Sequence, residues 1–246
     1  PFLSTIFFMR PDAVSFSMFY SSVYYVALFS TIGIILFHAR LSKGNNYFYF
    51  FFIVGIITSY LDLLTYPVIT LGIPLCIWLC FEKTYPCCKK IKHIVINSIG
   101  WGIGYAGMWI GKWVIGSLLL RENIIAIAWE AVRFRTSTSV ETGGDKISRW
   151  NAIVRNFSVG FEDIPILVIM VIILLVLLVG LLRIKRDLKE FVRQSVPILL
   201  VGLIPIVWYI VLGNHSYVHS WFAYRTLSIS VFAVMLIMTI SPSTEE

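Results

Sequence analysis

The chain has 246 residues, of which 58% are hydrophobic and 13% charged, with a formal net charge of +7 and a mean hydropathy of +0.84. Charged residues stand at about half the share usual for a soluble domain, too few to cover a core of this size with polar surface. Composition therefore excludes a disordered chain, a disulfide-stapled secreted domain and a soluble enzyme, and leaves an all-α polytopic transmembrane helical bundle.

The chain opens on Pro1 without a leader segment and reads as the C-terminal part of a longer protein, with residues 1–246 forming a single transmembrane domain. A bilayer core about 30 Å thick needs roughly 20 apolar residues per helix. On that measure the hydrophobic runs predict about seven spans, near 17–37, 47–62, 65–81, 94–120, 164–182, 194–212 and 218–240. The second and third are short and form a tight hairpin around Asp62 and Pro67. Cys76 and Cys80 fall in an apolar run and read as small buried hydrophobes, while Cys87 and Cys88 sit beside Lys89 and Lys90 at a membrane edge. Pro197 and Pro205 interrupt the sixth span and kink it at most.

Basic residues fix the expected orientation. The loops 38–46, 82–93 and 183–193 carry eleven of the twenty Lys and Arg residues. These loops are expected on the cytoplasmic side, together with the C-terminus. The Asp62 hairpin, the long loop 121–163 and the turn around His215 then face outward. The positive charge marks contact with anionic lipid rather than with nucleic acid.

The 121–163 segment predicts an external interfacial loop of two amphipathic helices. Glu122 to Arg135 places Ile124, Ile125, Ala128, Ala131 and Val132 on one side. Asp145 to Phe157 places Ile147, Trp150, Val154 and Phe157 on one face. A polar, glycine-containing break separates them. Such a pair serves either as a structural cap over the bundle or as a platform for lipid headgroups.

Ionisable residues inside a membrane cost about 2.5–3.5 kcal/mol each on insertion scales, so each needs a reason. Asp62 reads as a base, metal ligand or substrate anchor, or else as a cap at a hairpin turn. Lys112 lies about eight residues before the end of the fourth span. It reads as a partner for an anion or for Asp62, or else as a snorkelling side chain. Beside it, Gly100, Gly104, Gly107 and Gly111 share a face that favours close helix packing. The run Asn214 to Arg225 holds His215, His219 and Arg225. Two imidazoles and a guanidinium suit a phosphate or pyrophosphate, against the alternative of an interfacial aromatic girdle. No third ligand accompanies the histidine pair, so no metal site is assigned. Asn156-Phe157-Ser158 and Asn214-His215-Ser216 match the N-glycosylation pattern.

Three elements together carry a resemblance: Asp62-Leu-Leu-Thr-Tyr-Pro67 with Leu71-Gly-Ile-Pro-Leu75, Gly107-Met-Trp-Ile-Gly-Lys112-Trp113 with Arg133-Phe-Arg-Thr-Ser137, and Asn214 to His219 through Tyr224-Arg225. These resemble a group of bacterial multi-span proteins that are in turn similar to the C-type (GT-C) membrane glycosyltransferases. The resemblance implies a sugar moved from a polyprenyl-phosphate carrier to an acceptor on the outer face of a bacterial plasma membrane. It implies a lipid-phosphate-binding role for Lys112, Arg133, His215, His219 and Arg225, with Asp62 as the candidate catalytic carboxylate. A divalent cation is an open requirement. That family's acidic motif sits in its first external loop, and Asp12 matches it poorly, so the catalytic base is expected upstream of this chain. The alternatives are a glycan or lipid transporter or flippase, and a non-catalytic membrane scaffold.

Overall fold

A bilayer gives the backbone no hydrogen-bond partner, so apolar segments of this length close their own bonds as helices. The computed structural model describes residues 1–10, 18–82, 85–138, 147–162 and 188–239, and the regular elements among them are all helical. In chain order they are α1 (Phe2–Met9), α2 (Met18–Leu41), α3 (Asn46–Leu61), α4 (Ile69–Phe81), α5 (Cys87–Leu120), α6 (Ile124–Thr136), α7 (Arg149–Gly160), α8 (Leu188–Gly202), α9 (Ile204–Val211), α10 (Gly213–Val218), α11 (Ser220–Ala223), a 3-10 turn (Tyr224–Leu227) and α12 (Ser228–Thr239).

Among the described residues four stretches are long and apolar enough to cross a membrane: Ser22–Leu41, Cys87–Leu120, Phe191–Val211 and Ser220–Thr239. The expectation was about seven. The anticipated second and third spans are helices of 16 and 13 residues, shorter than a spanning helix. The anticipated fifth, 164–182, lies outside the described residues. α1 was not foreseen, since eight apolar residues give no spanning signal. Large apolar side chains such as Phe29, Leu36, Ile99, Ile103 and Leu118 are exposed along α2 and α5, as a lipid-facing surface requires.

Glycine sets the closest approach. A Cβ on Gly55 of α3 would collide with the Trp101 carbonyl oxygen of α5, and one on Gly104 would collide with the Phe52 carbonyl oxygen. Gly100 meets Phe48 in the same way. The predicted glycine face is therefore half right: Gly107 and Gly111 have nothing within 4 Å that an added Cβ would touch. A buried polar knot ties α3, α4 and α5 together. Thr58 and Thr70 share a hydrogen bond of 2.8 Å, and Trp101 Nε1 donates to Thr70 Oγ1 at 3.0 Å. Such bonds between helices hold where lipid supplies no hydrophobic drive.

Pro197 lies inside α8 without ending it, whereas Pro205 stands in the first turn of α9, just after the break at Leu203. Between α9 and α12 the chain runs through short helical pieces that pack against α7. The two amphipathic helices of the long loop are present, each opened by a side-chain cap. Asn123 accepts from the Ala126 N–H and Ser148 from the Asn151 N–H. The face of α7 that packs on the protein is offset from most of its predicted apolar face. Ala152, Ile153 and Asn156 are buried, and Trp150, Val154 and Phe157 are exposed.

Candidate functional site

The end of the bundle where α3 stops and α4 starts gathers most of the ionisable residues singled out above. At its centre is the loop 62–68. Burial leaves Asp62 only 2% exposed, so its carboxylate must be satisfied from within. Thr65 does this, donating from its N–H at 3.1 Å to both carboxylate oxygens and from its hydroxyl to Oδ1. The N–H groups of Leu63 and Leu64 also point at the carboxylate. To wrap round it the chain takes a left-handed turn at Leu64, with φ of 65°. That conformation costs a branched side chain on the order of 1–2 kcal/mol. Burial pushes Asp62 up from 3.8 to about 6, against the opposing pull of the Thr65 hydrogen bonds.

Three elements reach this loop. From α10, the buried His215 donates its Nε2–H to the Leu64 carbonyl oxygen at 2.7 Å. Burial, then the neighbouring His219 and Arg135, pull His215 down to about 4, so it is a neutral donor at physiological pH. The two imidazole centroids lie 4.8 Å apart, and His219 stacks on Phe222 at 5.3 Å. From α5, Lys112 Nζ donates to the carbonyls of Ser59 at 2.6 Å and Tyr60 at 3.2 Å. Helices end with orphan carbonyls and a partial negative charge, and a cation there satisfies both. The last turn of α3 is then complete, because Thr58 O accepts from Asp62 N–H and Leu61 O accepts from Ser22 Oγ. From the 3-10 turn, Arg225 is 8% exposed and donates from Nε to Met9 O at 2.9 Å and from Nη1 to Trp221 O at 3.3 Å. Tyr24 OH also donates to Met9 O, at 3.1 Å, and Tyr24 packs on Tyr66 of the loop at 5.5 Å.

The predicted basic residues thus separate by role. Lys112 and Arg225 are committed to helix C-termini, those of α3 and α1, rather than lining one anion cradle. His215 is a strut between α10 and the Asp62 loop. His219 is half-buried beside it. Arg133 is exposed on α6 and is not part of the group. Two other arginines stand closer: Arg135, half-buried and near enough to His215 to depress its basicity, and Arg155 of α7, whose Nε donates to Ser220 Oγ at 3.1 Å and whose guanidinium lies 4.4 Å over the Tyr217 ring. Helical phase is the signal that separates Arg135 from Arg133, and it becomes readable only once the docked face of α6 is known.

Neither glycosylation match is open to modification. Asn156 is fully buried, and its Nδ2 donates to the carbonyls of Ala152 and Ser216 at 2.8 Å each. Asn214 is 2% exposed, and its N–H donates to Ser137 O, locking the end of α6 to α10. Among the described residues no group of three or more His, Cys, Asp or Glu could hold a metal ion. Comparison with protein-family models, with curated proteins and with solved structures finds no match.

Proposed function

We propose that this chain belongs to a membrane glycosyltransferase that takes a sugar from a polyprenyl-phosphate carrier, with the loop end of the bundle on the outer face of a bacterial plasma membrane. The observation that carries the reading is the placement of Arg135 and His219. Arg135 makes no hydrogen bond or ion pair among the described residues, although it is half-buried. It stands near a histidine pair at a membrane edge. A guanidinium of this kind suits the planar, bidentate recognition of a phosphate.

Around it, α6 and α7 supply the lipid contact. The exposed Trp150, Val154 and Phe157 form an apolar face, and the exposed Arg155 stands beside it. A helix with an apolar face and basic flanks lies in the headgroup plane. Asp62 holds the loop that aligns His215, and its carboxylate is engaged by Thr65. The proton-abstracting carboxylate of the reaction therefore falls to a residue other than Asp62. The basic loops around Arg40, Lys43, Lys89 and Lys92 occupy the opposite end, on the cytoplasmic side.

The test uses membranes carrying the protein, supplied with radiolabelled undecaprenyl-phosphoryl glucose. Label leaves the lipid fraction with the wild type. With His219→Ala its release falls at least about tenfold while the amount of inserted protein is unchanged. Equal release from wild type and variant, or none from either, overturns the proposal.

A further inference from the structure

At the opposite end of the bundle lies a second polar group that has no part in the site above. The end of α2, the start of α3, the end of α4 and the start of α5 enclose a cavity of about 50 Å³. A buried water takes roughly 10–15 Å³ on this measure, so the space holds a few waters or a ligand group of a few heavy atoms. The argument rests on six of its wall residues: Tyr47, Phe48, Trp78, Glu82, Tyr85 and Asn97.

Glu82 is 7% exposed. A buried carboxylate requires a countercharge or a proton. Among the described residues its one ion-pair partner is His38, with Nε2 at 3.9 Å, and the other ring nitrogen of His38 already lies 2.6 Å from Tyr47 OH. Two hydrogen-bond donors of the same wall are unpartnered, the Trp78 indole Nε1–H and the Asn97 Nδ2 amide, on residues each 1% exposed. The remaining wall is aromatic, with Tyr47 and Trp78 edge to face at 6.0 Å. Outside, the rim is cationic: Lys89 and Lys92 are exposed, and Lys89 Nζ sits 3.7 Å over the Tyr85 ring.

Each feature selects part of a ligand. Aromatic faces with a carboxylate hold an organic ammonium. Unpartnered N–H donors call for an oxygen attached to it. Lysines at the mouth call for a phosphate. One negative charge inside and positive charges at the rim exclude a bare anion from the cavity and disfavour a bare cation approaching it. We propose that this cavity binds the alkylammonium of an ethanolamine- or choline-type phosphodiester, with the phosphate held at the lysine rim. The ligand is a zwitterionic headgroup, supplied either by a membrane phospholipid or by a soluble phosphodiester.

The experiment is calorimetric titration of the full chain, solubilised in phospholipid-free detergent, with glycerophosphoethanolamine. The wild type binds it. Glu82→Gln, which keeps the shape and removes the charge, weakens binding at least about tenfold. Trp78→Phe, which keeps a ring and removes the N–H, weakens it about threefold to tenfold and decides the matter if Glu82→Gln does not fold. Lipid extracts then separate the sources. Phosphatidylethanolamine that co-purifies with the wild type and not with Glu82→Gln marks a lipid headgroup; binding without co-purifying lipid marks the soluble diester. Absence of wild-type binding, equal binding by both variants, competition by potassium chloride as strong as by the diester, or competition by inorganic phosphate but not by ethanolamine overturns the assignment.

Discussion

Lys112 and Arg225 show how a basic side chain is tolerated in an apolar bundle. Each meets the carbonyl end of a helix, where the backbone already offers partial negative charge and unfilled lone pairs. Sequence marked both positions as costly and pointed to a bound phosphate; their backbone partners carry no residue-type signature and were not legible in it. Asp62 and His215 form the other residue-scale device, and their titrations oppose one another. Asp62 titrates at about 6 in the fold and at 3.8 ordinarily, so it contributes stability at acid pH that is lost as pH rises through about 6. His215 titrates at about 4 in the fold and at 6.5 ordinarily, so it contributes stability above 6.5 that is lost as pH falls through about 4. The two slopes offset each other between about pH 4 and 6. Asp62→Asn leaves the histidine slope alone, and the melting temperature of that variant falls on acidification across this interval. His215→Gln leaves the carboxylate slope alone, and its melting temperature rises. Each effect is on the order of 3 kcal/mol. Thermal melts of the solubilised protein that are flat with pH in both variants contradict the burial of these groups.

Between elements, the α3–α5 contact depends on backbone approach at Gly55, Gly100 and Gly104. The spacing of the glycines announced a packing face, yet not where it ends. Gly107 and Gly111 continue the same pattern past the contact, because α5 runs 34 residues against a partner of 16. Gly104→Leu drives a side chain into the Phe52 carbonyl and separates the helices. Its cost is roughly 1–3 kcal/mol or more, read as a lower melting temperature, whereas Gly111→Leu, in open space, leaves the melt within about 0.5 kcal/mol of wild type. The existence of α6 and α7 was also legible, since apolar residues recur at helical spacing in both. The orientation of α7 was not. In a soluble protein Trp150, Val154 and Phe157 would turn inward, but an apolar face beside a membrane has two places to go, and here the buried Asn156 claims the protein side.

For the molecule as a whole, composition made the helical class plain but not the number of spans, because hydropathy cannot tell a short buried helix such as α4 from one that crosses a bilayer. α4 buries eleven of its thirteen residues inside the bundle, more like a core helix than a lipid-facing one. What emerges is a bundle with two chemically distinct ends: a loop end organised round Asp62, where Arg135 stands near the His215–His219 pair, and a basic end built round Glu82. The account stands on Arg135 rather than Arg133 meeting the phosphate of the carrier lipid. The direct measurement is the affinity of the full chain in detergent for undecaprenyl phosphate, compared between Arg135→Ala and Arg133→Ala. Loss of at least about tenfold in the first, with the second equal to wild type, is the predicted result; equal affinity in both variants, or a larger loss in Arg133→Ala, contradicts it.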